Sequence, residues 1–201
     1  MEVSKPTQTK RAALRCLGLV AALLLAGVPA APAAEIEGVH FADRLTSNSA
    51  PLILQSTALL RYRVLFRGYV GALYMGEGAD SSMLFRDVPK RLEIEYFWGI
   101  PADKFAEVTT SGIAANRPDT VERLRPAIAL WNGLYENVEA GDRYSVTYTP
   151  GLGTELARNG RSLGVVPGQE FGAAIFSIWF GDVPFDAQFR DTMLAKGKSK
   201  G

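Results

Sequence analysis

Histidine and cysteine are almost missing from this sequence, with one of each, His40 and Cys16. A histidine-based metal cluster is therefore excluded, and no calcium-loop pattern offers a carboxylate alternative. A Ser-His-Asp triad would have to recruit His40, and there is no G-x-S-x-G turn to present a serine. The glycines of "GLGTEL" lack both the preceding strand and the three-glycine spacing of a phosphate-binding loop, so they read as a turn. No linker of low complexity and no internal repeat divides the chain. These absences leave no metal site built on histidine or cysteine, no cofactor motif and no assignable catalytic residue, and His40 reads as an ordinary polar side chain.

A long uncharged run occurs only near the start. Lys5, Lys10, Arg11 and Arg15 precede residues 17–34, which contain "LGLVAALLLAGV" and end in the small residues of "PAAPAAE". A basic region, an apolar core and an A-x-A-like exit predict a secretory signal peptide over residues 1–34, cut after Ala33 or Ala34. An uncleaved anchor is the rival reading, because the run is close to the minimum for a bilayer span. Cys16 precedes the apolar run, the wrong side for a lipidated cysteine. Cleavage would leave about 167 residues without cysteine, held by a core rather than by disulfides, and would move the formal charge from +1 to −2. That charge gives no footprint for nucleic acid. "FGAAIFSIWFG" is too short to cross a membrane and reads as a buried helix, so no span is expected after cleavage. The expected location is the periplasm or the exterior, with one domain over residues 35–195 and a basic tail over 196–201.

Within that domain the pattern predicts an α+β fold. "GVHFADRL", "PLILQSTALLRYRVLF" and "YVGALYMG" have strand composition. "KRLEIEYFW" alternates, with Leu92, Ile94, Tyr96 and Trp98 on one face and Glu93 and Glu95 on a solvated one. Pro101 opens a helix in "PADKFAEVTTSGIAA". A second helix is expected from about Thr120 to Val138, kinked or delayed by Pro126. Strands return at "DRYSVTYTPG" and in a hairpin, "GTELARNGRSLGVV", turned by Asn159-Gly160. Two helical pieces close the chain. Strands followed by helices, without βαβ units, imply a long antiparallel sheet with a helical layer on one face.

The unusual stretch is "LLRYRVLFRGYVGALYMGE", residues 59–77, where Arg61, Arg63 and Arg67 interrupt apolar and aromatic residues. Strict alternation would place Arg61, Arg63, Leu65, Arg67 and Tyr69 on one face. An exposed cationic face is one reading. The other is that Arg61, with its apolar lead-in, enters a cleft and holds an anion through its planar fork, helped by the hydroxyl of Tyr69 or Tyr74. That arrangement suits a small molecule with an acidic head and an apolar tail.

The same stretch, with "IPADKFAEV" and "PGQEFGAAIFSIWFGDVPFDAQFRDTML", resembles the chalcone isomerase-like family and looks most like its exported bacterial branch. The anchors are Arg61, Phe66, Tyr69, Leu73 and Tyr74, then Phe171, Ile175, Phe176, Ile178, Trp179, Gly181 and Pro184. The resemblance implies an open-faced β-sandwich-like fold with a ligand cleft between the sheet and the helices. It also implies that Arg61 stands at the family's arginine position, Tyr69 at its threonine, Phe105 at its tyrosine and Gly112 at its asparagine. Phe105 and Gly112 lack the polar groups of the enzymes, so the resemblance points to the non-catalytic members, which bind fatty acids. Arg61, Tyr69, Tyr74 and Phe105 are the expected ligand-binding residues, and a fatty acid or other small apolar acid is the expected partner. A structural or partner-binding domain with a self-filled cleft, and an isomerase or lyase with altered chemistry, remain as alternatives.

Overall fold

The structure is a computed structural model that describes residues 1–2, 32–46, 50–62 and 66–195. Arg63 and Leu65, nearly all of the expected signal peptide and the basic tail lie outside the described residues.

The first strands, β1 (Pro32–Ile36) and β2 (Val39–Ala42), form a hairpin. Its turn, Glu37-Gly38, has positive φ at both residues, which suits a tight two-residue connection. The main sheet has seven antiparallel strands in sequential order. They are β3 (Arg44–Leu45), β4 (Leu52–Tyr62), β5 (Phe66–Gly76), β6 (Lys90–Tyr96), β7 (Arg143–Thr149), β8 (Gly153–Arg158) and β9 (Arg161–Val166). Two helices, α1 (Ala102–Asn116) and α2 (Val121–Asn132), lie between β6 and β7. Two more, α3 (Gln169–Phe180) and α4 (Ala187–Leu194), follow β9. The expected α+β class and the antiparallel sheet under a helical layer are both observed.

The sheet is covered on both faces. The helices bury Leu73, Leu92, Ile94, Val146, Leu156 and their neighbours on one face. On the other, the β1–β2 hairpin lays Val39 and Phe41 over Leu52, Val70, Ala72 and Tyr74. Double coverage explains why β5 is almost continuously apolar: from Gly68 onward every residue of that strand is buried. At Gly71 a Cβ would lie 2.8 Å from the Phe189 ring, so the missing side chain lets α4 approach the sheet.

Several local expectations change. α2 ends at Asn132, and Val138 instead forms an isolated bridge with Ile100. Pro126 sits inside α2, at its middle, and does not delay the start of the helix. Trp98 falls beyond the end of β6 and is exposed. Glu93, read as solvated, is only 5% exposed. Arg91 donates to Glu93 at 2.9 Å and Arg143 donates at 3.2 Å, while Arg143 also pairs with Glu95. The hairpin roofs this network, with the Phe41 ring against the Arg143 guanidinium and the His40 carbonyl accepting from it. Period-two alternation correctly put Glu93 opposite the helices, but it could not show that a second layer covers that face.

Candidate functional site: an apolar cleft between sheet and helices

The cleft opens where β5 and β6 pass under α1 and α3. It has a volume of about 200 Å³. Tyr69, Ile94 and Tyr96 form its floor, Phe105, Val108 and Thr109 its α1 wall, and Trp179 its α3 wall. Tyr135, just beyond α2, closes one end, and Lys104 and Phe185 stand at the exposed mouth. A smaller void of about 20 Å³ lies deeper and shares Ile94, Tyr96, Phe105, Tyr135 and Trp179.

Aromatic packing sets the shape. The Tyr69 ring meets Tyr96 edge-on at 5.8 Å and Phe189 at 5.2 Å. Tyr96 meets Phe105 at 5.4 Å, and Phe105 stacks on Tyr135 at 5.3 Å. Such tilted and offset pairs are favourable in their own right. Polar ends are tied off one by one. The Trp131 indole N–H donates to the Tyr135 hydroxyl at 2.7 Å, and Thr109 shares a hydrogen bond with the same oxygen at 2.8 Å. The Tyr144 hydroxyl donates to the Glu136 carbonyl and accepts from the Glu136 N–H.

The Tyr69 hydroxyl is not tied off in this way: it is buried and has no hydrogen-bond partner. The Trp179 indole is near enough to favour the ionised phenol slightly, yet it stands outside hydrogen-bonding geometry. Burial, reinforced by the Asp186 charge, raises the Tyr69 pKa far above the phenol range. Burial also raises Tyr96 and pushes Tyr135 up to about 12, the latter tempered by its hydrogen bonds. All three phenols are therefore neutral donors at physiological pH rather than bases. Lys104 is exposed and paired with Glu107 at 2.8 Å.

The four expected ligand residues separate. Tyr69 and Phe105 both line the cleft. Tyr74 faces the hairpin instead, in the cluster with Val39, Phe41 and Leu52. Arg61 is exposed on that same outer side, where it pairs with Glu37 at 3.3 Å; Arg67 pairs with Glu37 too, at 3.4 Å. The cause is a β-bulge. Leu60 pairs with Tyr69 and Arg61 with Arg67, so Gly68 has no partner of its own. One extra residue inverts the alternation, and Arg67 and Tyr69, two positions apart, point to opposite faces. Arg61 therefore has no access to the cleft. Gly112 contributes no donor; it brings α1 against Ile178, where a Cβ would sit 3.2 Å away.

Sequence reasoning missed Tyr96, Thr109, Tyr135 and Trp179 as site residues. Tyr96 and Tyr135 are marked only by membership of apolar stripes, which looks the same for a core residue and a cleft wall, and Trp179 only as an anchor of the family resemblance. Among the described residues no cluster of His, Cys, Asp and Glu could hold a metal ion, and no helix is long and apolar enough to cross a membrane. A second concavity of about 260 Å³ lies on the outer face, with Arg91, Thr147 and Glu155 in its walls. Arg91 is already engaged by Glu93 there.

A curved antiparallel sheet, a helical layer and an apolar cleft between them define an α+β sandwich with an interlayer pocket. The chain belongs to the chalcone isomerase-like family, which it matches over residues 33–195. Its fold is similar to that of an Arabidopsis thaliana fatty-acid binding protein known from a crystal structure. The TM-score is 0.58 at 17% identity, covering 78% of this chain and 92% of that one. Among curated proteins none matches the sequence.

Proposed function

We propose that this protein is an exported, non-catalytic carrier or sensor of a small apolar ligand with a fatty-acid-like tail, held in the sheet–helix cleft. The observation that carries the reading is the cleft itself: concave, lined by aromatic and aliphatic side chains, and reaching solvent beside Lys104 and Phe185. Its size favours a slender or small ligand, since pockets for drug-sized molecules run to about 300–1,000 Å³. Its neutral phenols supply no general base, and Phe105 has no hydroxyl with which to stabilise a developing enolate. The shared fold with a fatty-acid binding protein is in keeping with this reading. A carboxylate head, if the ligand has one, would lie at the mouth near Lys104, because Arg61 is on the far side of the sheet.

Binding can be measured with N-phenyl-1-naphthylamine, a neutral apolar dye that fluoresces when it leaves water. We expect saturable binding, and a loss of more than about tenfold in Val108→Trp, whose indole would occupy the cleft. Circular dichroism should show the variant folded. Dye binding that is absent, or unchanged in a folded Val108→Trp, would favour a partner-binding domain with no ligand.

Export rests on the order of basic, apolar and small residues over 1–34. N-terminal sequencing of protein recovered from a bacterial host should begin at Ala34 or Glu35. Full-length chain in the membrane fraction would instead support an anchor.

A further inference from the structure

We propose that the cleft selects an uncharged ligand, an apolar molecule that presents a hydrogen-bond-accepting oxygen to the Tyr69 hydroxyl. This rests on the reading of the cleft as a ligand site and specifies the chemistry of the end that enters it.

Tyr69 lines the cleft and is 7% exposed, and its hydroxyl is buried with no hydrogen-bond partner. A buried hydroxyl without a hydrogen bond is costly, and such groups are few in folded proteins. The polar side chain nearest to satisfying it is Trp179. An indole N–H only donates, so closer approach by Trp179 would satisfy a lone pair of the tyrosine oxygen. The phenolic hydrogen would still lack an acceptor. No neighbour supplies one: the Tyr96 hydroxyl and the Asp186 carboxylate are nearby but outside hydrogen-bonding geometry, and the hydroxyls of Tyr135 and Tyr144 are already bonded to Trp131, Thr109 and Glu136. The missing group is therefore an acceptor, which a ligand in the cleft can supply.

The charges around Tyr69 decide which kind of acceptor. Arg61 and Arg67 are on the opposite face and bound to Glu37. Lys104 is at the mouth with Glu107. On α4, Arg190 is turned to Asp191 and to the Gly181 carbonyl. Asp186, which caps α4 by accepting from the Phe189 N–H, sets a negative charge near the phenol. A carboxylate at this point would lose its hydration, face a like charge and find no counter-ion. A ketone, ester or alcohol oxygen meets none of these penalties, and neither does a protonated carboxyl group.

The test uses displacement of N-phenyl-1-naphthylamine from the whole protein by three eight-carbon probes: octane, 2-octanone and octanoate. In wild type, 2-octanone should displace the dye with an affinity independent of pH between 5 and 8. Octanoate should weaken about tenfold per pH unit across the upper part of that range, because only its protonated form fits. Tyr69→Phe should weaken 2-octanone roughly fivefold, the worth of one neutral hydrogen bond, and should leave octane unchanged. The variant removes an unpartnered hydroxyl, so its melting temperature should hold or rise. Three results would overturn the proposal while leaving the cleft as a ligand site: an unchanged 2-octanone to octane ratio in Tyr69→Phe, octanoate binding that ignores pH, or a marked loss of stability in Tyr69→Phe. Failure of the dye and all probes to bind would overturn the cleft reading and this proposal together.

Discussion

Replacing Glu93 by alanine is expected to lower the free energy of unfolding by about 3–5 kcal/mol, the usual cost of breaking a buried ion pair from one side. Glu93 sits in the middle of β6, between Ala72 on β5 and Ser145 on β7. Its carboxylate satisfies Arg91 on one oxygen and Arg143 on the other. Without it, two guanidiniums that are each about three-quarters buried lose a shared counter-charge. Arg143 would keep Glu95, but the contact of its guanidinium with Phe41 depends on the geometry that Glu93 helps to fix. The loss should therefore spread to the β1–β2 hairpin, seen as faster amide exchange across Val39–Ala42. Glu93→Gln keeps the shape and part of the hydrogen bonding, and should cost less than half as much. Urea denaturation of the two variants at low and high salt separates the effects. A buried network resists screening, so the Glu93→Ala deficit should persist at high salt. A deficit below about 1 kcal/mol would place this network in the class of ordinary surface ion pairs.

The second large effect concerns the wall of the cleft. Trp131→Ala should cost about 3–5 kcal/mol, as large aromatic truncations in cores do. Trp131 is fully buried and packs against Phe171 at 5.5 Å. It also holds the Tyr135 hydroxyl, and Tyr135 in turn stacks on Phe105. Trp131→Phe isolates the hydrogen bond. It should cost about 1 kcal/mol beyond any packing loss. Because the bond from Trp131 favours the ionised phenol, its removal should push the Tyr135 pKa further up. Dye binding should weaken in Trp131→Ala as Tyr135 loses its anchor, and stay near wild type in Trp131→Phe. Equal binding in all three proteins would mean that Tyr135 is not a working part of the cleft.

Local chemistry alone determined most of the secondary structure. The Asn159-Gly160 pair marked a tight turn, and both residues have positive φ in the β8–β9 connection. The alternation of Leu92, Ile94 and Tyr96 marked β6, and all three side chains point into the helical side of the core. Pro101 marked the start of α1 and occupies its N-cap. These features are short-range, set by steric limits on φ and by the two periods at which side chains recur. The antiparallel order and the single helical layer followed from the absence of βαβ units.

The candidate site was legible only in part. Tyr69 and Phe105 were singled out and do line the cleft, whereas Arg61 and Tyr74 are on the other side of the sheet. Gly68 decides the arginine. Its glycine is visible in the sequence, but whether a glycine bulges depends on the register of the partner strand, and register is a tertiary property. The hairpin decides Tyr74 and Glu93, because a strand pattern can show two faces without showing what lies over each. The cleft is decided by an absence of atoms: Tyr96, Tyr135 and Trp179 have the composition of core, and only the spacing of α1 and α3 above β5 and β6 leaves a gap between them. Sequence periodicity records which way a side chain points. The partner it meets there, or the space it leaves, depends on residues far along the chain and is settled only when the layers pack.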